Sequence, residues 1–127
     1  MKKVLIIEDD HDIGDITEMA LNSKYNTLVK RDASQLIQVI QQFMPDVVLI
    51  DNFIGHKNAT EIIEEIKSAG INLNIPMILF SAHQDIEIIA TQIGAADFIA
   101  KPFDLYELHQ CINRVLSPDI KKIIHRF

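Results

Sequence analysis

Short unbroken apolar runs constrain this chain more than any other feature. VLII (4–7) and VVLI (47–50) contain no polar residue, and MILF (77–80) is a third such run, opened by Pro76. Runs of this kind read as strands buried on both faces, the pattern of parallel rather than half-exposed antiparallel sheets. Between them the spacing turns helical. Apolar stripes are carried by Ile13, Ile16, Ala20 and Leu21, by Leu36, Val39, Ile40 and Phe43 before Pro45, and by Ile62, Ile63 and Ile66 up to Gly70. Two more are carried by Ile86, Ile89 and Ile93 up to Gly94, and by Leu105, Leu108, Ile112 and Val115. Asn58 followed by Glu61 reads as a helix-capping pair. YNTLVK (25–30), with polar residues mixed in, reads as an edge strand, and ADFIA (96–100) as a fifth short strand. Five β-α units in series predict an α/β fold: a doubly wound, five-stranded parallel sheet with helices on both faces.

The chain has 127 residues, enough for one domain that needs no staple. Its 48% apolar and 24% charged residues are an ordinary soluble mix. One cysteine, Cys111, excludes an internal disulfide and favours a reducing, cytoplasmic setting. Lys2 and Lys3 precede an apolar run that stops at Glu8, far short of a signal peptide, and nothing approaches a membrane span. The triplet Asn58-Ala59-Thr60 matches a glycosylation sequon that a cytosolic chain would not use. A net charge of −6 argues against nucleic-acid binding, and the four glycines form neither a P-loop nor a dinucleotide fingerprint.

In open parallel sheets, sites form beyond the carboxyl ends of the strands. Here the first strand ends in Glu8-Asp9-Asp10, the third in Asp51, the fourth in Ser81-Ala82, and the fifth leads to Lys101-Pro102. Carboxylates converging on one rim repel each other, and a hard divalent cation such as Mg²⁺ relieves this while leaving room for water and a phosphate oxygen. A lysine offers a point charge to a phosphoryl group, a serine hydroxyl can donate to its oxygens, and an aspartate can itself be the nucleophile. Together these groups suit in-line phosphoryl transfer to Asp51.

With these residues in view the chain resembles the receiver domains of two-component response regulators, from Lys3 to about Leu116. The resemblance implies a flavodoxin-like fold with strand order 2-1-3-4-5. It places Glu8 and Asp9 of VLIIEDD at the metal-binding pair, Asp51 at the phosphoacceptor, and Phe53 where a backbone carbonyl completes the Mg²⁺ shell. Ser81 matches the switch hydroxyl, Ala82 the small residue that leaves room for phosphate, and Phe98 of ADFIAKPF the switch aromatic. Lys101 matches the invariant lysine, and Pro102 the proline that usually follows a cis bond. Phe53 and His83 match positions that tune dephosphorylation; the bulk of Phe53 beside the acyl phosphate implies a moderately long-lived phosphoryl state. Each motif alone is weak; all of them in order and spacing are specific. Two positions depart from the pattern: Gly55 stands where the family usually has proline, and Ala59 where it usually has glycine, so the loop GHKN is expected to be looser or differently turned.

The resemblance further implies a phosphorylation-driven switch of the face built from the fourth helix, fifth strand and fifth helix. Its phosphodonor would be a sensor histidine kinase or a phosphotransfer protein, and its output partner or effector domain is not named by the sequence. Homodimerisation on phosphorylation is open, since Cys111 stands where one DNA-binding subgroup carries a dimer-forming arginine. Two other readings compete. An aspartate-nucleophile phosphatase wants a second aspartate where Phe53 stands, and a degenerate receiver would serve only as an interaction module.

The remaining features have plainer readings. Asp10 reads as a helix-start residue, the five histidines as surface, and Cys111 as half-buried and inert. Residues 117–127 form a separate segment, SPDIKKIIHRF. Ser117 suits an N-cap, Pro118 a first helical position, and Ile120, Ile123, Ile124 and Phe127 fall on one stripe. That stripe is either a short amphipathic helix packed on its own body, or an exposed surface that dimerises, docks a partner or begins a linker.

Overall fold

The computed structural model describes residues 1–70 and 74–117. The apolar runs form β1 (Lys3–Ile7), β3 (Val47–Asp51) and β6 (Met77–Ser81). The mixed segment forms β2 (Asn26–Lys30), and β7 (Asp97–Ala100) is the last strand. These five pair in parallel in the order β2-β1-β3-β6-β7. With the two strands of a small hairpin left out of the numbering, that is the order 2-1-3-4-5, a flavodoxin-like sheet.

Successive side chains of each strand leave on opposite faces, and here both faces are covered. Leu5, Ile7, Val48, Ile50 and Leu79 pack under α2 (Leu36–Phe43), α3 (Ala59–Ser68) and α4 (Ile86–Ile93). Val4, Ile6, Leu49, Ile78 and Phe80 pack under α1 (His11–Leu21) and α5 (Leu105–Leu116). Burying each such side chain stabilises the fold by roughly 1.5–3 kcal/mol, which is why the runs 4–7, 47–50 and 77–80 inside the central strands carry no polar residue. The helix starts follow local chemistry. The side chains of Asp10, Asn58 and Asp104 accept hydrogen bonds from the amides of Ile13, Glu61 and Glu107.

Four expectations need correction. Ile16 is 57% exposed and so lies outside the α1 stripe. At about 100° per residue the buried face runs through Ile13, Gly14, Thr17 and Leu21, and Ile16 falls beyond its edge. Thr17 is tolerated inside because its hydroxyl donates to the Ile13 carbonyl, 2.6 Å away. Leu105 is 51% exposed, because as the first residue of α5 it sits above the edge of the core. Cys111 is fully rather than half buried, and burial, with Asp97 nearby, pushes its thiol up to about 12. Of the histidines, His11, His56 and His83 are at the surface, while His109 is half-buried and stacks on Tyr25. His125, and the expected helix after Ser117, lie outside the described residues.

The segment after Asp51, where Gly55 and Ala59 depart from the family pattern, is an ordered turn. It folds into an antiparallel hairpin of β4 (Phe53–Ile54) and β5 (Lys57–Asn58), with Phe53 opposite Asn58 and Ile54 opposite Lys57. Its turn needs the positive φ of Gly55, +63°, which glycine adopts at little cost.

Candidate functional site

The rim at the carboxyl ends of β1, β3, β6 and β7 gathers the charged residues. Glu8 immediately follows β1, and its amide continues the ladder by donating to the Lys30 carbonyl at 3.0 Å. Its side chain is fully buried. Asp51 closes β3, in register with Phe80 of β6. Lys101 follows β7, its amide donating to the Ser81 carbonyl at 2.9 Å, and its peptide bond to Pro102 is cis.

Lys101 is the hub. Its Nζ donates to Glu8 Oε1 at 2.6 Å and to Asp51 Oδ2 at 2.9 Å. It also lies over the Phe80 ring, 4.7 Å from its centre, a cation–π contact. Phe103 meets Phe80 edge to face. Glu8, Asp9 and Asp51 each bring a carboxylate oxygen to within 4.8 Å of the others. One lysine facing three carboxylates leaves an excess of negative charge at the rim.

The electrostatics follow. Burial, and then the neighbouring Asp51 carboxylate, push Glu8 up to about 7 against the opposing pull of Lys101. Burial pulls Lys101 down, but its bonds to Glu8 and Asp51 outweigh this and hold the ammonium above its ordinary value. Among the described residues, Glu8 Oε2 is buried without a hydrogen-bond partner. An orphaned buried carboxylate oxygen beside two further carboxylates is a hard-oxygen donor set that fits a divalent cation such as Mg²⁺.

The other expected residues are distributed around this centre. Ser81 is buried, and its Oγ accepts from the His83 amide at 3.1 Å. His83 is exposed, and its Nδ1 accepts from the Asp85 amide at 3.0 Å. Ala82 is exposed and lines an apolar groove with Lys101 and Pro102. Phe53 lies in β4 with its side chain 55% exposed. Phe98 is not brought to the cluster; it is 36% exposed and lines a surface groove with Cys111 and Arg114. Asp10 caps α1.

Two contributors escaped the sequence reading. The Phe80 ring under Lys101 looked like plain core, and nothing but its position beside Ser81 hinted otherwise. The amide of Gly55 donates to Asp9 Oδ2 at 3.0 Å, and a backbone donor leaves no mark in side-chain chemistry.

Known proteins resemble this chain in sequence and fold. The family described as response regulator receiver domain matches residues 4–113. The transcriptional regulatory protein KdpE of Staphylococcus aureus is 38% identical over 109 residues, which are 84% of this chain and 46% of KdpE. The sporulation initiation phosphotransferase F of Bacillus subtilis is 28% identical over 118 residues, 91% of this chain and 94% of that protein. The chain thus spans about half of the first relative and nearly all of the second. Among solved structures, the N-terminal domain of the nisin resistance regulator NsrR superposes with a TM-score of 0.81 at 28% identity, covering 92% of this chain and 99% of that one. With the parallel sheet, the acidic rim and the family match over most of its length, this chain belongs to the response regulator receiver domains of two-component signalling.

Proposed function

We propose that this receiver takes a phosphoryl group onto Asp51 from a sensor histidine kinase or a phosphotransfer protein, and that the acyl phosphate switches its α4–β7–α5 face. The observation that carries the reading is Lys101, whose ammonium joins Glu8 and Asp51 at 2.6 and 2.9 Å on the rim where three carboxylates meet.

An Asp51 carboxylate oxygen attacks the phosphorus of a phosphohistidine. The O–P bond forms, the N–P bond breaks, and its electron pair returns to the donor imidazole. Glu8, Asp9, Asp51 and the Phe53 carbonyl are the groups that would hold Mg²⁺. When bound, Mg²⁺ would supply charge neutralisation at the phosphoryl oxygens. Lys101 is placed to exchange its contact with Asp51 for one with the new phosphoryl group, which carries about −2 of charge. The Ser81 hydroxyl gives up its role as acceptor and donates to a phosphoryl oxygen, and Ala82 leaves room beside it. Ser81 pairs with Ala100 in the register of β6 and β7, two residues from Phe98, so its movement is felt along β7. Phe98 then turns from its half-exposed position into the space that Ser81 vacates. Phe53 and His83 flank the acyl phosphate and set how fast water removes it. The chain acts as a regulator rather than as an enzyme turning over an external substrate.

Intact mass after incubation with a small phosphodonor, with and without Mg²⁺, tests this. One phosphoryl increment that needs Mg²⁺ and is absent in Asp51→Asn is the expected result. No increment in folded protein that also fails to bind Mg²⁺ refutes the reading and leaves a degenerate receiver that works by contact alone.

A further inference from the structure

The three rim carboxylates are not oriented alike. Glu8 and Asp51 are both held by Lys101. Asp9 is exposed, and among the described residues its side chain makes one hydrogen bond, from the Gly55 amide 46 positions along the chain at 3.0 Å. We propose that Gly55 is a positioning residue for the metal site, its backbone N–H fixing the Asp9 carboxylate toward a divalent cation. The inference rests on the Mg²⁺ role proposed above for Glu8, Asp9 and Asp51.

The geometry gives Gly55 a reason to be glycine. Its φ of +63° presents the N–H to Asp9, and a side chain there meets no atom within 4 Å, so conformation and not crowding sets the requirement. The pairs Phe53–Asn58 and Ile54–Lys57 pin the turn on both sides. The chemistry of the donor matters as well. A lysine at this point would compete with a metal as a second cation. A neutral amide orients the carboxylate and leaves its charge available, and a carboxylate oxygen has lone pairs enough for both an N–H and a ligand bond. The hairpin that carries Gly55 also carries Phe53, so this one element supplies a proposed ligand and orients another. Coupling runs both ways: a cation that fixes Asp9 also steadies the hairpin.

Two measurements test this on the full chain: Mg²⁺ titration calorimetry, and hydrogen exchange of the Gly55 amide by NMR without metal. In the wild type the Gly55 amide exchanges slowly, and Asp9→Ala releases it. Gly55→Pro, which lacks the N–H, weakens Mg²⁺ binding about tenfold, while Gly55→Asn, which keeps the N–H and tolerates positive φ, stays within about twofold of wild type. A Gly55 amide that exchanges equally fast in wild type and Asp9→Ala overturns the proposal. So does a Gly55→Pro protein that binds Mg²⁺ like wild type, or a Gly55→Asn protein that loses as much as Gly55→Pro. Should Gly55→Pro fail to fold, the comparison of wild type with Asp9→Ala and Gly55→Asn decides. A wild type that binds no Mg²⁺ at all overturns the metal reading itself, and this inference with it, a result distinct from binding that ignores Gly55.

Discussion

The carboxyl of Glu8 makes a quantitative prediction about stability in the absence of metal. Its side chain is fully buried, one oxygen meets Lys101 at 2.6 Å, and the other has no partner among the described residues. Burial raises its pKa from 4.5 to about 7. An acid whose folded pKa lies above its unfolded one holds its proton more tightly when folded. Its contribution to stability is therefore fully present below about pH 4.5 and is lost as pH rises through about 7. The gap between 4.5 and about 7, at roughly 1.4 kcal/mol per pH unit, caps that loss at roughly 3–4 kcal/mol, of which the range from about pH 4.5 to 7.5 captures about 3. Glu8→Gln keeps the shape and removes the titration. Urea unfolding followed by circular dichroism, in chelator at several pH values between about 4.5 and 7.5, gives the wild-type stability minus that of the variant. That difference is expected to fall by up to about 3 kcal/mol across the window. Mg²⁺ at a hundred times its Kd should then return about 2.7 kcal/mol to the wild type and less to the variant, which has lost a ligand. A difference that stays flat with pH, or that grows as pH rises, refutes the reasoning. Growth would mean that the ion pair with Lys101 outweighs the cost of burying the charge.

Lys101→Met leaves Glu8 and Asp51 without their cation. It should destabilise the metal-free protein by about 2–4 kcal/mol near pH 8 and by less near pH 5, where Glu8 takes up a proton, as read from the same urea curves. Cys111 is buried with its thiol pushed up to about 12, so a disulfide reagent near pH 8 should label it only as fast as the protein unfolds, and at once in urea. Asn58→Ala removes the acceptor for the Glu61 amide and should cost about 1 kcal/mol in thermal or urea unfolding. Phe80→Ala should cost about 3–5 kcal/mol, because that side chain is wholly buried, whereas the half-exposed Phe98→Ala should cost far less and instead blunt the phosphorylation-dependent shifts of α4 and α5 amides in NMR spectra.

Much of this molecule is written in its local pattern. β1, β3 and β6 are continuous apolar runs because both their faces are covered, and that burial is what makes them legible. The site residues were legible for a related reason: Glu8, Asp51, Ser81 and Lys101 interrupt or end those runs, where polarity is conspicuous. The strand order was not in the periodicity, since nothing local tells β1 to lie between β2 and β3; it came with the family resemblance. Ile16 and Leu105 misled because an apolar residue near a stripe reads the same whether it sits on the stripe or at its border. The hairpin after Asp51 went unread because each of its strands has two residues, too few for any period to register, and the contact it makes is a backbone one.

The rim carboxylates differ in what they contribute. Glu8 is the buried one, so on the proposed metal reading it sets the cost of leaving the site without a cation, and that cost would couple folding to metal. Asp51 shares the lysine but sits at the very end of β3, only half-buried. Asp9 is exposed and depends on the hairpin for its orientation. A site assembled this way separates two tasks that a symmetric cluster would confuse. On the proposed metal reading, the buried acid and its lysine would hold the electrostatic balance, while the exposed acid and the hairpin would tune how well a cation is held. The hairpin would then be the place where sequence alters metal affinity without disturbing the proposed phosphoacceptor, Asp51, and Gly55, at its turn, is the position through which such a change would act.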